Sequence, residues 1–162
     1  MKIGILSDSH GRVATVEEAL GEFRTRGVEL LLHCGDIDDA ATIEAFADWT
    51  CHFVYGNCDA DRAGIRRAIA AIGGTLHDPF GHLELAGKKI AWLHGDDPGL
   101  KRDLEQSGYY DYLFYGHTHF AEQHLIGDTW VINPGALFRA RPKSCLVLDL
   151  PGGDLETVMV GG

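Results

Sequence analysis

An α/β protein of two packed sheets with helices on the outside is what this sequence predicts, and two patterns carry the prediction. Through residue 72, short runs rich in Val, Ile and Leu alternate with longer helix-like stretches, the order of a mostly parallel sheet joined by crossover helices. Beyond residue 120 the helix-like stretches stop, and strand-like runs come in pairs around glycine turns, as antiparallel hairpins do. At 162 residues the chain suits one core and is short for two, so residues 1–162 read as a single domain.

The elements follow in order. Residues 3–6 form a first strand; with one basic residue and few apolar positions before Ser7-Asp8, this start is no secretory leader. A helix over 13–26, a strand over 30–33, a helix over 40–49, a strand over 52–55 and a helix over 61–72 come next, the last stopped by Gly73-Gly74. From Leu76 the period changes. Residues 82–85 and 88–93 read as a hairpin around Ala86-Gly87, 98–107 as a helix and 112–115 as a strand. Two more hairpins follow, 122–126 with 129–132 around Gly127-Asp128, and 144–150 with 155–160 around Gly152-Gly153.

Composition narrows the function. An apolar fraction of 45% with 23% charged residues, and no apolar run long enough to span a bilayer, is that of a soluble globular protein with no membrane partner. The net charge of −10, with no long basic stripe, argues against stable nucleic-acid binding, so any phosphate chemistry needs bound cations for its positive field. Cys34, Cys51, Cys58 and Cys145 show no C-x-x-C pairing and lie in or beside apolar runs, which places the chain in a reducing cytoplasm.

Five of the apolar strands end in potential ligands: Asp8-Ser9-His10, Gly35-Asp36, Gly56-Asn57-Cys58-Asp59, His94-Gly95-Asp96 and Gly116-His117-Thr118-His119. Each has a structural reading on its own, as helix cap, turn former or core histidine. Together they point to one site, because open α/β sheets build their sites outside the carboxyl ends of the strands. Asp8, His10, Asp36, Asn57, His94, His117 and His119 are too many donors for one tetrahedral ion and suit two. Oxygen and nitrogen donors without thiolate favour Mn, Fe, Zn or Ni over Ca or Cu(I), and a carboxylate can bridge. Two such cations can hold a shared hydroxide and neutralise phosphoryl oxygens, which is the chemistry of phosphoester hydrolysis.

Asp-x-His, Gly-Asp-x-x-Asp (Gly35, Asp36, Asp39), Gly-Asn-x-Asp, His-Gly and Gly-His-x-His, in this order, resemble the calcineurin-like metallophosphoesterases, and the short chain resembles their small YfcE-like phosphodiesterase branch. The resemblance runs over essentially the whole chain. It implies a four-layer αββα sandwich of two mixed β-sheets flanked by helices. It also implies that Asp8, His10 and His119 bind one ion, that Asn57, His94 and His117 bind the other, and that Asp36 bridges. Mn²⁺ is the expected metal, with Fe, Zn or Ni compatible. Asn133-Pro134-Gly135-Ala136 resembles the family's Asn-Pro-Gly turn.

Departures bear on catalysis. Many relatives carry His after the metal-binding Asn, paired with the residue corresponding to Asp39 to protonate the leaving group; here that position is Cys58, as in the YfcE-like branch. A neutral thiol is a weak acid for that task, so Cys58 reads first as a spacer beneath the site and second as a proton donor. Asp96 stands where the branch often has a second His, and reads first as a cap for the helix near Pro98. Asp39, Asn57, Cys58 and Asp96 are thus the candidate catalytic residues, and Arg12, Arg139 and Arg141 can reach phosphate oxygens. His33, His52, His77, His82 and His124 read as structural or exposed.

The expected function is a metal-dependent phosphodiesterase of small substrates. Its rivals are a phosphomonoesterase or nuclease of the same family and a non-catalytic scaffold of the same fold that binds a protein partner. An aspartyl-phosphate hydrolase would want Asp-x-Asp at the first strand, and no Gly-x-Gly-x-x-Gly follows that strand for a dinucleotide. Exposed edges near residues 155–160 would allow a homodimer.

Overall fold

A computed structural model describes residues 1–161. Its first sheet grows from the most apolar runs: β1 (Lys2–Leu6), β2 (Leu30–His33), β3 (Cys51–Val54) and β4 (Thr75–His77) lie side by side in parallel. Strands β10 (Lys143–Asp149) and β11 (Asp154–Val160) add to the free side of β1 in antiparallel sense, giving the six-stranded order β11-β10-β1-β2-β3-β4. The second sheet has five strands in the order β5-β6-β7-β9-β8, from β5 (Gly81–Leu85), β6 (Lys88–Trp92), β7 (Tyr112–Phe114), β8 (Glu122–Ile126) and β9 (Thr129–Asn133).

The two-residue period of the strands sorts their side chains into layers. On one face of the first sheet Leu31, Phe53, Cys145 and Val147 meet helix α1 (Val13–Thr25), whose Val16, Ala19, Leu20 and Phe23 form a buried stripe. The same cluster takes in Ile43 of α2 (Ala40–Glu44) and Ile65 and Ile69 of α3 (Arg62–Ala71). On the other face Ile3, Ile5, Leu30, Leu32 and Leu148 pack on Ile90, Trp92, Phe114 and Ile132 of the second sheet. The outer face of that sheet, Ala91, Leu93, Leu113 and Val131, is covered by Leu104 of α4 (Pro98–Gln106). Helices, sheet, sheet and helix make the four-layer αββα sandwich. Because β1, β2 and the centre of the second sheet are buried on both faces, their sequences read as unbroken apolar runs.

Three details differ from the sequence expectation. The helix expected over 40–49 ends at Glu44: the N–H groups of Phe46, Ala47 and Trp49 bond carbonyls only three residues back, at Ile43, Glu44 and Phe46. Phe46 is still wholly buried, so tight turns keep the apolar spacing that suggested a longer helix. β4, three residues long, was hidden by its length and by the glycine pair before it, and is held by parallel pairing to β3. The second half is not purely antiparallel either: β6, β7 and β9 run parallel, and the two tail hairpins divide, β8–β9 joining the second sheet and β10–β11 the first. No helix among the described residues is long and apolar enough to cross a membrane.

Candidate metal centre

The turns after β1, β2, β3, β6 and β7 converge at one end of the sandwich. Asp8, His10, Asp36, His117 and His119 all adopt left-handed backbone, with φ of 54°, 43°, 57°, 69° and 63°. Such φ values are uncommon for residues with side chains, and this concentration of strain marks a site at which orientation has been favoured over backbone comfort. Two glycines let the turns approach. A Cβ on Gly56 would fall on the Asp36 carboxylate, and one on Gly116 would meet Ser7 Oγ and Asp8 Oδ2.

Asp36 lies at the middle. Its Oδ2 is 3.4 Å from His10 Nε2 and 3.2 Å from His94 Nε2, while Oδ1 accepts a bond from the Cys58 amide at 2.8 Å. To one side Asp8 Oδ1 is 3.1 Å from His119 Nε2 and 3.8 Å from His10 Nε2. To the other, Asn57 Oδ1 is 2.9 Å from His94 Nε2 and 3.1 Å from His117 Nδ1. The structure thus brings together all seven sequence-derived ligand candidates. Donor atoms of Asp8, His10 and His119 form one group close enough to share an ion, and those of Asp8, Asp36 and His94 form another.

Two observations test whether cations fit. Asp8 Oδ1 is buried and has no hydrogen-bond donor, an expensive arrangement for a carboxylate oxygen. His94 Nδ1 lies 2.8 Å from the Cys34 carbonyl, which can only accept, so the ring proton sits there and Nε2 of the neutral ring turns a lone pair toward two oxygens. Only positive charge between them reconciles that contact. Without a metal, protons serve: burial lowers the His94 pKa but Asp36 outweighs it and carries it up to about 9, and the Asp8 carboxylate beside it raises that of His10. The carboxylates stay ionised. Burial pushes both up, yet His94 brings Asp36 down to about 2, and the nearby His10 ring together with the bond from Ser7 leaves Asp8 below the usual range. The donor set therefore suits divalent cations.

Comparison with known proteins agrees. The model of the calcineurin-like phosphoesterase superfamily domain matches residues 1–152. The chain belongs to this superfamily. It is 33% identical over 138 residues to a phosphodiesterase of Methanocaldococcus jannaschii, covering 83% of each chain. Among solved structures, an archaeal phosphodiesterase superposes with a TM-score of 0.91 at 28% identity over 98% of this chain and 99% of that one. The fold is also that of YfcE, a phosphoesterase from E. coli, with a TM-score of 0.70 at 22% identity over 99% of this chain and 100% of that one.

Within this calcineurin-like frame several sequence assignments move. Asp39 turns its Oδ1 to Thr42, accepting from N at 2.8 Å and from Oγ1 at 2.7 Å, as the N-cap of α2. Its neighbour Asp38 bonds the site instead, with Oδ2 3.2 Å from His10 Nδ1, the kind of contact that would orient that imidazole if it held a metal. Asp97 rather than Asp96 caps α4, accepting from the amides of Gly99 and Leu100, and Asp96 is exposed. Cys58 is no spacer beneath the site: it is exposed, and Sγ lies in one cluster with donor atoms of His10 and Asp36. Partial burial and the Asp36 charge raise its pKa, so the thiol is neutral.

The supporting shell was less legible. Buried Asp59 accepts four backbone N–H bonds, from Ile37 and Asp38 on one oxygen and from Asp36 and Gly56 on the other, tying the β2 turn to the β3 turn. Asn133 donates from Nδ2 to the Gly116 carbonyl and to Thr118 Oγ1, holding the Gly-His-Thr-His turn from the Asn-Pro-Gly segment. The signals were the Gly-Asn-x-Asp and Asn-Pro-Gly motifs, which named the residues without their partners.

His33, wholly buried under the site, accepts from the Gly35 amide at Nδ1 and therefore donates from Nε2 to Ser9 Oγ at 3.0 Å. Burial lowers its pKa from 6.5 to about 4. The unfolded chain then binds the extra proton between these values, so the contribution of neutral His33 is complete above 6.5 and drains away as pH falls toward 4. Its full size is on the order of 3 kcal/mol. In urea titrations His33→Gln should lower stability at pH 7.5 and show a shallower loss between pH 6.5 and 4.5; parallel pH profiles would rule this role out.

Proposed function

We propose that the protein is a metal-dependent phosphodiesterase of small diesters, working in the cytoplasm with two divalent cations, Mn²⁺ the expected one. The observation that carries the reading is the single oxygen Asp36 Oδ2 held between His10 Nε2 and His94 Nε2, which joins two donor groups at one carboxylate. Asp8, His10 and His119 hold one side, and Asn57, His94 and His117 the other. When bound there, two divalent cations supply a hydroxide nucleophile at neutral pH and charge neutralisation for the phosphoryl oxygens.

The chain's own residues do the rest. Asp38 on Nδ1 of His10 and the Cys34 carbonyl on Nδ1 of His94 turn each Nε2 inward. Arg12 and Arg139 stack on Phe138, 4.5 and 5.1 Å from its centroid, and Phe138 packs 5.2 Å from the His10 ring. Both guanidiniums thereby stand at the rim where a diester anion enters, placed to bond its free oxygens. The neutral Cys58 thiol at the same rim can hydrogen-bond a departing oxygen but is a weak proton donor, which favours substrates with acidic leaving groups.

The test is hydrolysis of bis-p-nitrophenyl phosphate against p-nitrophenyl phosphate by metal-stripped protein titrated with Mn²⁺, Fe²⁺, Zn²⁺ and Ni²⁺. Diester cleavage should return with about two equivalents of metal and exceed monoester cleavage. Two bound equivalents with no turnover would overturn the reading in favour of a scaffold.

A further inference from the structure

A groove of about 1060 Å³ starts at His117 and His119 and runs past Phe120, Arg139 and Arg141 to Met159 on β11. Its lining contains no Asp or Glu. In a chain of net charge −10 this is notable, and Lys143 adds a third cation to the same wall. Among the described residues neither Arg139 nor Arg141 makes an ion pair, whereas Arg26, Lys88 and Lys101 elsewhere do. Alongside the cations are apolar surfaces held in water: Phe120 is 75% exposed and Met159 58% exposed. Unpaired guanidiniums and an open aromatic face together recognise an anion attached to a planar ring.

We propose that this groove is the subsite for the retained arm of the diester, and that it takes an arm carrying a planar ring and a second phosphate, the chemistry of a mononucleotide. The proposal rests on the phosphodiesterase reading, since the groove opens from His117 and His119. Phe120 stacks the ring, and with Arg139 held on Phe138 beside His10, Arg141 is the guanidinium left to meet the second phosphate. The scissile phosphate stays with the metal donors, so the groove sets which diester binds and leaves the bond-breaking step alone.

The experiment compares two ligands that differ by one phosphate. Thymidine 3′,5′-bisphosphate and thymidine 5′-monophosphate are titrated calorimetrically into the Mn²⁺-loaded full chain, its Arg141→Ala and Phe120→Ala variants, and the control Arg67→Ala, an exposed residue of α3. The bisphosphate should bind wild type and the control about tenfold more tightly than the monophosphate. Arg141→Ala should remove that advantage, and Phe120→Ala should weaken both ligands while keeping it. Equal affinities in wild type, or an advantage that survives Arg141→Ala, would overturn the subsite. Cleavage of bis-p-nitrophenyl phosphate by the same preparation reports separately on the phosphodiesterase reading, because the binding comparison needs no turnover.

Discussion

In Asp36→Ala, hydrolysis of bis-p-nitrophenyl phosphate is expected to fall on the order of 10³-fold, with less than one equivalent of metal retained after desalting. The size follows from position. Asp36 Oδ2 lies 3.4 Å from His10 Nε2 and 3.2 Å from His94 Nε2, so its loss should weaken the two sides at once. Asn57→Ala removes a neutral ligand from one side and should cost less. The fold should survive, since what Asp36 loses is a charge-assisted bond to the Cys58 amide, worth about 1.5–3 kcal/mol, and its contacts with His94 and His10, offset by relief of the crowding of buried carboxylates around Asp8. Circular dichroism establishes folding, and metal analysis alongside kcat separates lost binding from lost chemistry. Wild-type turnover in a folded Asp36→Ala protein would remove the bridging assignment.

The largest stability effect is expected at a residue that touches no substrate. Asp59→Asn should destabilise the protein by about 3–5 kcal/mol in urea titration. An amide offers one oxygen where the carboxylate offers two, so two of the four backbone donors that converge on Asp59 would face an NH₂ group. Burial raises the Asp59 pKa while these bonds pull it down, so protonation in acid has the same effect in milder form. Because the bonds tie the Asp36 turn to the Asn57 turn, metal affinity should fall with stability. A change below about 1 kcal/mol would show that the turns hold their shape without the clamp.

The sequence carried the site further than it carried the site's support. Asp8, His10, Asp36, Asn57, His94, His117 and His119 were readable because each follows a buried strand, and buried strands announce themselves as apolar runs. Asp38 and Asp39 could not be told apart on that basis. They are adjacent and chemically identical, and only the φ of 79° at Asp38 against −144° at Asp39 sends one to His10 and the other to the α2 cap. Asp96 and Asp97 pose the same problem, since a cap is decided by the last turn of backbone before the helix. His33 reads as structural or exposed from its place in a strand, yet its link between Ser9 and Gly35 depends on the packing of two separate turns.

What the sequence determined by itself is periodic or local: the buried strands, the amphipathic helices α1, α3 and α4, the glycines at close approaches, and the ligand types at strand ends. These depend on residues within a few positions of one another, and a single chain displays them. Only the tertiary structure decided which pairs of tail strands join which sheet, that Thr75–His77 is a strand at all, and that one groove joins Phe120, Arg141 and Met159 to His117 and His119. Those outcomes turn on contacts between segments far apart in sequence, where geometry, rather than residue type, selects the partner.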